Sequence, residues 1–177
     1  MLIVVLITTV FSFTLVYSEA QCAFVGPVTV PPGQTQSFSL EVVGAINNDL
    51  SNPDQGICGV FLEFSHNLIG ELEINLISPS GTVVNMVGSI VPTNPTNLTR
   101  WNVSFVPCGD IASPDNGFSP IWSNNQPWGI LGNFVGSYYP NNGCLEDFNI
   151  GPVNGFWQIE IVNSCLLYTS PSPRDRT

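Results

Sequence analysis

Apolar and polar residues alternate along most of this chain with a period of two. Between Gln36 and Val43, Phe38, Leu40 and Val42 interleave with Ser37, Ser39 and Glu41. That alternation predicts a strand with one buried face. Gly59–Ser65 is nearly continuous in apolar character, with Val60, Leu62 and Phe64 on one face. Glu71–Ser78 is the clearest case, with Leu72, Ile74 and Leu76 directed inward and Glu71, Glu73 and Asn75 outward. Ser78-Pro79-Ser80-Gly81 then predicts a tight turn, since Pro79 presets φ and Gly81 tolerates a positive value. Thr82–Val87 returns as the hairpin partner, Trp101–Val106 alternates again, and Gly155–Val162 closes the pattern with Trp157, Ile159 and Ile161 inward. Asn47–Gly56 reads as a loop. The stretch Pro107–Gly151 is rich in Gly, Asn, Pro and aromatics and predicts short strands and packed loops. The expected fold is all-β, a sandwich of about seven to nine antiparallel strands.

The two ends depart from this pattern. Residues 2–17 are an apolar run without a basic n-region, followed by small residues at Ser18 and Ala20, which predicts a signal peptide over 1–20 cleaved before Gln21. The run is shorter than the roughly 20 residues of a membrane span, so no stable span is expected. Residues 165–177 hold two of the three basic residues and no strand pattern, and read as a non-native or disordered tail. The domain is therefore expected over 21–164, secreted and extracellular.

Charge narrows the partners. The chain carries 13 acidic and 3 basic residues, a net charge of −10, and Arg100 alone is basic within the body. Nucleic acid is excluded on that balance, because phosphate binding needs clustered Lys and Arg. Discounting Cys165 with the tail leaves Cys22, Cys58, Cys108 and Cys144. Four cysteines allow three connectivities. The preferred set is Cys22–Cys58, tying the N-terminal segment to a core strand, with Cys108–Cys144. The second would close a loop of 35 intervening residues, worth about 3–4 kcal/mol on a chain-entropy argument.

Catalytic chemistry is thinly represented. His66 is the single histidine, and no nucleophile motif accompanies it. Glu71 and Glu73 sit two apart on an outward face, the ordinary pattern of a solvated strand. Asp110 and Asp115 in one loop and Glu146 and Asp147 in another form a candidate Ca²⁺ set, which a Cys108–Cys144 bridge would bring together. Trp122, Trp128, Tyr138 and Tyr139 lie in loop-like sequence and read either as core filling or as aromatic faces for glycans or a protein partner. Asn97-Leu98-Thr99 and Asn102-Val103-Ser104 are N-glycosylation sequons.

One stretch carries a family resemblance. His66-Asn67-Leu68-Ile69-Gly70-Glu71-Leu72, the strand after it and the turn Ser78-Pro79-Ser80-Gly81-Thr82 resemble the signature of the P (Homo B) domain of subtilisin-like proprotein convertases. Asn154-Gly155-Phe156-Trp157-Gln158-Ile159-Glu160-Ile161 is similar to that family's closing strand. Val106-Pro107-Cys108-Gly109 and Gly143–Asn149 resemble its cysteine-containing secreted variants. The likeness covers roughly Phe38 to Asn163. It implies a jelly-roll-like sandwich that packs on a subtilisin-like catalytic domain and stabilises it, or that stands alone. No catalytic domain precedes Cys22 in this sequence. The expected function is accordingly a non-catalytic accessory or interaction module, with a subtilisin-like domain or another extracellular protein as partner. The alternatives are a carbohydrate-binding module using the loop aromatics, and a fragment of a larger serine endopeptidase.

Overall fold

The computed structural model describes residues 26–164, apart from 54, 89, 110–114 and 116. Its order is β1 (Gln34–Val42), β2 (Val60–Ser65), a 3-10 turn (Ile69–Glu71), β3 (Leu72–Ile77), β4 (Val83–Val87), β5 (Arg100–Phe105), β6 (Asn133–Tyr138), a second 3-10 turn (Leu145–Phe148) and β7 (Gly155–Asn163). The strands form two sheets, one in the order β1-β7-β3-β4 and the other β2-β5-β6. The all-β sandwich read from the alternation is the observed fold.

The larger sheet is antiparallel throughout. The expectation of a wholly antiparallel sandwich needs one correction: β5 and β6 run parallel. A parallel pair needs a long crossover. Here the segment from Val106 to Gly132 makes it, passing Trp122 and Trp128 into the interior on the way.

Each sheet contributes one face to the core. Leu72, Ile74, Leu76, Val84, Met86 and Trp157 come from the larger sheet, and Trp101, Val103, Phe105 and Tyr138 from the smaller. Aromatic rings fill much of the space between. Trp101 stacks on Phe64 with ring centroids 5.2 Å apart, Trp122 stacks on Trp128 at 5.1 Å, and Phe134 meets Trp128 edge-on at 4.6 Å. Such offset and edge-to-face contacts add about 0.5–1.5 kcal/mol per pair beyond burial.

The β3–β4 turn is the one read from Ser78-Pro79-Ser80-Gly81. Gly81 N–H donates to Ser78 O, and Gly81 has φ 85°, a region most L-residues avoid. Asn75, expected to face solvent, points away from the core yet is buried. Its amide donates to both Glu73 and Glu160 and accepts from Asn85 at 2.8 Å. This cross-strand network roofs the outer side of β7, β3 and β4.

Tyr138 gives a pH signature. Burial pushes its hydroxyl above the ordinary value of 10.0, because the phenolate is poorly solvated there. The folded state thus holds this proton more tightly than the unfolded chain. Its contribution is complete below pH 10.0 and is lost as pH rises from there through the raised folded value. In alkaline denaturation, Tyr138→Phe is expected to lose stability less steeply above pH 10 than the native chain. Identical slopes for the two proteins would remove this assignment.

Candidate functional site

Among the described residues, a cleft of about 320 Å³ opens beside the junction of β2 and the first 3-10 turn, lined by Pro32, Ser65, His66, Leu68, Glu71 and Asn163 among others. It contains the chain's one histidine and an acid, the minimum from which hydrolytic chemistry could be built. Sequence separation hides it, since His66 and Asn163 are 97 residues apart. Register joins them: β3 and β7 pair Leu72 with Asn163, and His66 lies just beyond the end of β2.

The hydrogen bonds decide what His66 can do. Leu68 N–H donates to Nδ1 at 3.1 Å, so Nδ1 carries the lone pair. Nε2 then carries the proton and donates to Asn163 Oδ1 at 3.2 Å. Asn163 in turn donates through Nδ2 to Val30 O at 3.0 Å. Both ring nitrogens are engaged, and neither addresses Ser65 or Glu71. A general base needs a lone pair facing the proton it removes, and His66 offers none. Its ring braces the end of β2 to the end of β7 and, through Asn163, to the segment before β1.

The remainder of the His-to-Leu72 motif also has a structural reason. Thr96, fully buried, donates to His66 O and accepts from Ile69 N–H. Gly70 N–H donates to Thr93 Oγ1, and Gly70 O accepts from Val91 N–H. A Cβ at position 70 would lie 1.9 Å from Val91 O, so only glycine allows this approach. Glu71 O accepts from both the amide and the hydroxyl of Ser164, while Glu71 Oε2 is buried with no hydrogen-bond partner. Glu71 and Glu73 do not form a carboxylate pair. Glu71 lines the cleft, whereas Glu73 belongs to the Asn75 network on the outer sheet face.

Replacing His66 by Ala removes two hydrogen bonds of about 0.5–1.5 kcal/mol each. The expected loss is about 1–3 kcal/mol in urea unfolding, and Asn163→Ala should fall in the same range. A double variant no worse than either single one would show that the two side chains act as one brace.

Three of the four acidic residues expected to bind Ca²⁺ lie among the described residues. Asp110 lies outside the described residues. Asp115 is exposed, and its N–H donates to Ser137 Oγ while its carbonyl accepts from Ser137 N–H. Both carboxylate oxygens of Glu146 accept backbone N–H groups, one from Cys108 and one from Gly109. Asp147 Oδ2 accepts from Cys144 N–H at 2.9 Å, capping the second 3-10 turn. Glu146 and Asp147 thus serve as local backbone acceptors that pin the disulfide loop. The grouping of Cys108, Cys144 and Glu146 offers no thiolates, because the two sulfurs are bonded to each other.

Cys108 and Cys144 form the bridge preferred from the sequence, with Cα atoms 5.7 Å apart. Cys58 is exposed, and its expected partner Cys22 lies outside the described residues.

Of the two readings of the loop aromatics, burial favours core filling at three of the four positions. Trp122, Trp128 and Tyr138 are 0%, 3% and 1% exposed. Trp122 Nε1–H donates to Asn124 Oδ1 and Trp128 Nε1–H to Ser123 O, so even their polar edges are satisfied internally. Tyr139 is half-buried, with its backbone bonded to Pro120 and Trp122. The enclosed rings of Trp122, Trp128 and Tyr138 have no free face on which a sugar could stack. Asn97 is exposed in the loop before β5, and Asn102 is half-exposed on the outer side of β5.

Among the described residues, no helix is long and apolar enough to cross a membrane. No protein-family model, curated protein or solved structure matches the chain.

Proposed function

We propose that this chain is a non-catalytic extracellular β-sandwich of the P-domain kind, which works by packing its preformed surface against a partner protein. The observation that carries the reading is the engagement of both ring nitrogens of His66 by Leu68 and Asn163. The histidine of the family-like motif is thereby a structural brace, and its ring offers the cleft no free nitrogen. The Cys108–Cys144 bridge supports an oxidising compartment. The net charge of −10 favours a partner with a basic contact surface. By resemblance, that partner is a subtilisin-like catalytic domain.

Two assays on the purified full chain test this. Incubation with a fluorogenic peptide library and a fluorophosphonate probe should give no turnover and no labelling. Hydrolysis that co-purifies with the protein and disappears in His66→Ala would overturn the non-catalytic reading. Added to a subtilisin-like catalytic domain stripped of its own accessory domain, the chain should lengthen the half-life of thermal inactivation. An unchanged half-life at saturating concentration would overturn the choice of partner.

A further inference from the structure

The outer face of the smaller sheet combines an exposed apolar strip with a sequon at its centre. In β5 the side chains of Trp101, Val103 and Phe105 point into the core, so Asn102 and Ser104 share the outward face. The pairing with β2 sets Phe61 opposite Ser104 and Glu63 opposite Asn102. The pairing with β6 sets Val135 opposite Asn102 and Ser137 opposite Ser104. Phe61 and Val135 are 60% and 67% exposed. They flank Asn102 from either side, one directly opposite and one on the diagonal, within about 5–8 Å.

This arrangement presents an evident hazard. The sheet has three strands, so β2 and β6 are both edges, and each edge carries one of the exposed apolar side chains. Edge strands beside an apolar face are templates for self-association. Among the described residues no strand pairs with the outer edge of β2. The outer edge of β6 is met in part by backbone bonds between Asp115 and Ser137 and between Tyr139 and both Pro120 and Trp122, which leaves the Phe61 and Val135 side chains themselves uncovered. A bulky hydrophilic group attached at Asn102 would stand over both Phe61 and Val135.

We propose that Asn102 is an N-glycosylation site whose glycan covers Phe61 and Val135 and keeps this sheet face monomeric. The sequon at Asn97 serves a different purpose if occupied. It lies in a loop where Leu98 has φ 62° and the Thr99 hydroxyl is buried against Gly129 O, away from the apolar strip. The inference rests on the secreted reading given above.

The test expresses the full chain in a eukaryotic secretory host, once with its own N-terminus and once with residues 1–20 replaced by a proven signal sequence. Glycopeptide mass spectrometry should find glycan on Asn102 in both. Glycan with the proven signal but not with the native N-terminus would overturn the export reading while supporting the site. A secreted product bare at Asn102 would overturn the site. Asn102→Gln should raise dye binding to exposed apolar surface several-fold and shift sedimentation from monomer toward oligomer, whereas Asn97→Gln should do neither. Adding Phe61→Ser and Val135→Thr to Asn102→Gln should restore the monomer. Endoglycosidase trimming of the folded native protein repeats the comparison without a mutation. A trimmed protein that stays monomeric and silent toward the dye would overturn the proposal.

Discussion

Replacing Asn124 by Ala should destabilise the domain by about 3–5 kcal/mol, although the residue lies in a polar Asn/Ser/Pro stretch. Its side chain is 1% exposed and clamps three elements together. Oδ1 accepts the indole N–H of Trp122 at 2.8 Å, and Nδ2 donates to Ile69 O and Leu72 O, both at 2.8 Å. Truncation strands a buried indole N–H and weakens the satisfaction of two carbonyls, each loss being worth about 1–3 kcal/mol. Ile69 O retains the N–H of Leu72, which keeps the total below the sum of three full penalties. Asn124→Asp separates this account from simple loss of volume. It keeps the shape but turns both donated bonds into oxygen facing oxygen, so it should be at least as damaging as Ala. Urea denaturation followed by tryptophan fluorescence measures both. An Asp variant near native stability would contradict the clamp.

The double substitution Cys108→Ser, Cys144→Ser should cost about 3–4 kcal/mol on a loop-closure argument for a separation of 36 residues. For a chain of this size that corresponds to a fall in Tm on the order of 10 °C. The bridged loop contains the crossover, β6 and the buried Trp122 and Trp128. Its closure therefore restricts in the unfolded chain the segment that must thread furthest. Glu146 and Asp147 should still cap their amides in the reduced protein, so the native fold is expected at 25 °C with a lower Tm. Calorimetry of native and double-variant proteins tests the magnitude. A difference below 1 kcal/mol would mean that the cap contacts alone close the loop.

How far the sequence disclosed this fold depends on where the periodicity is local. β1, β2, β3, β4, β5 and β7 were each legible within a residue or two, because every second side chain meets the same core. β6 was not individually legible. Its inward positions are Phe134, Gly136 and Tyr138, and its outward Val135 is apolar and exposed, so the alternation is blurred. Its parallel pairing to β5 was equally hidden, since the residues of the crossover read only as loop. Trp122 and Trp128 sit in turn-rich sequence, and their burial follows from where the crossover passes rather than from their neighbours. Glu146 and Asp147 show what composition leaves out: carboxylates in a Gly/Asn loop satisfy the general preferences of a calcium site, and only the structure shows that they also accept the loop's own amides. Asn75 reads as a solvent position by parity, and only the partners on β4 and β7 make it a buried hub.

The cleft shows the same division. His66 and Gly70 were visible as parts of a motif, and the structure supplies their reasons: a ring with two fixed partners and a backbone approach that excludes a Cβ. Asn163 was not visible, because nothing in the closing strand announces that its last residue will meet a histidine 97 positions away. In this chain His66 and Gly70 of the family-like motif each have a reason in folding geometry, and a fold by itself does not settle activity.

The account stands most directly on the state of the His66 ring. Because the chain has one histidine, a long-range ¹H–¹⁵N correlation spectrum of the full-length protein reports it without ambiguity. The expected pattern for the uncharged ring is a single tautomer, protonated at Nε2 with Nδ1 as acceptor. A ring protonated at Nδ1, or one exchanging freely between tautomers, would mean that Leu68 and Asn163 do not hold it, and the case against catalysis in this cleft would fail.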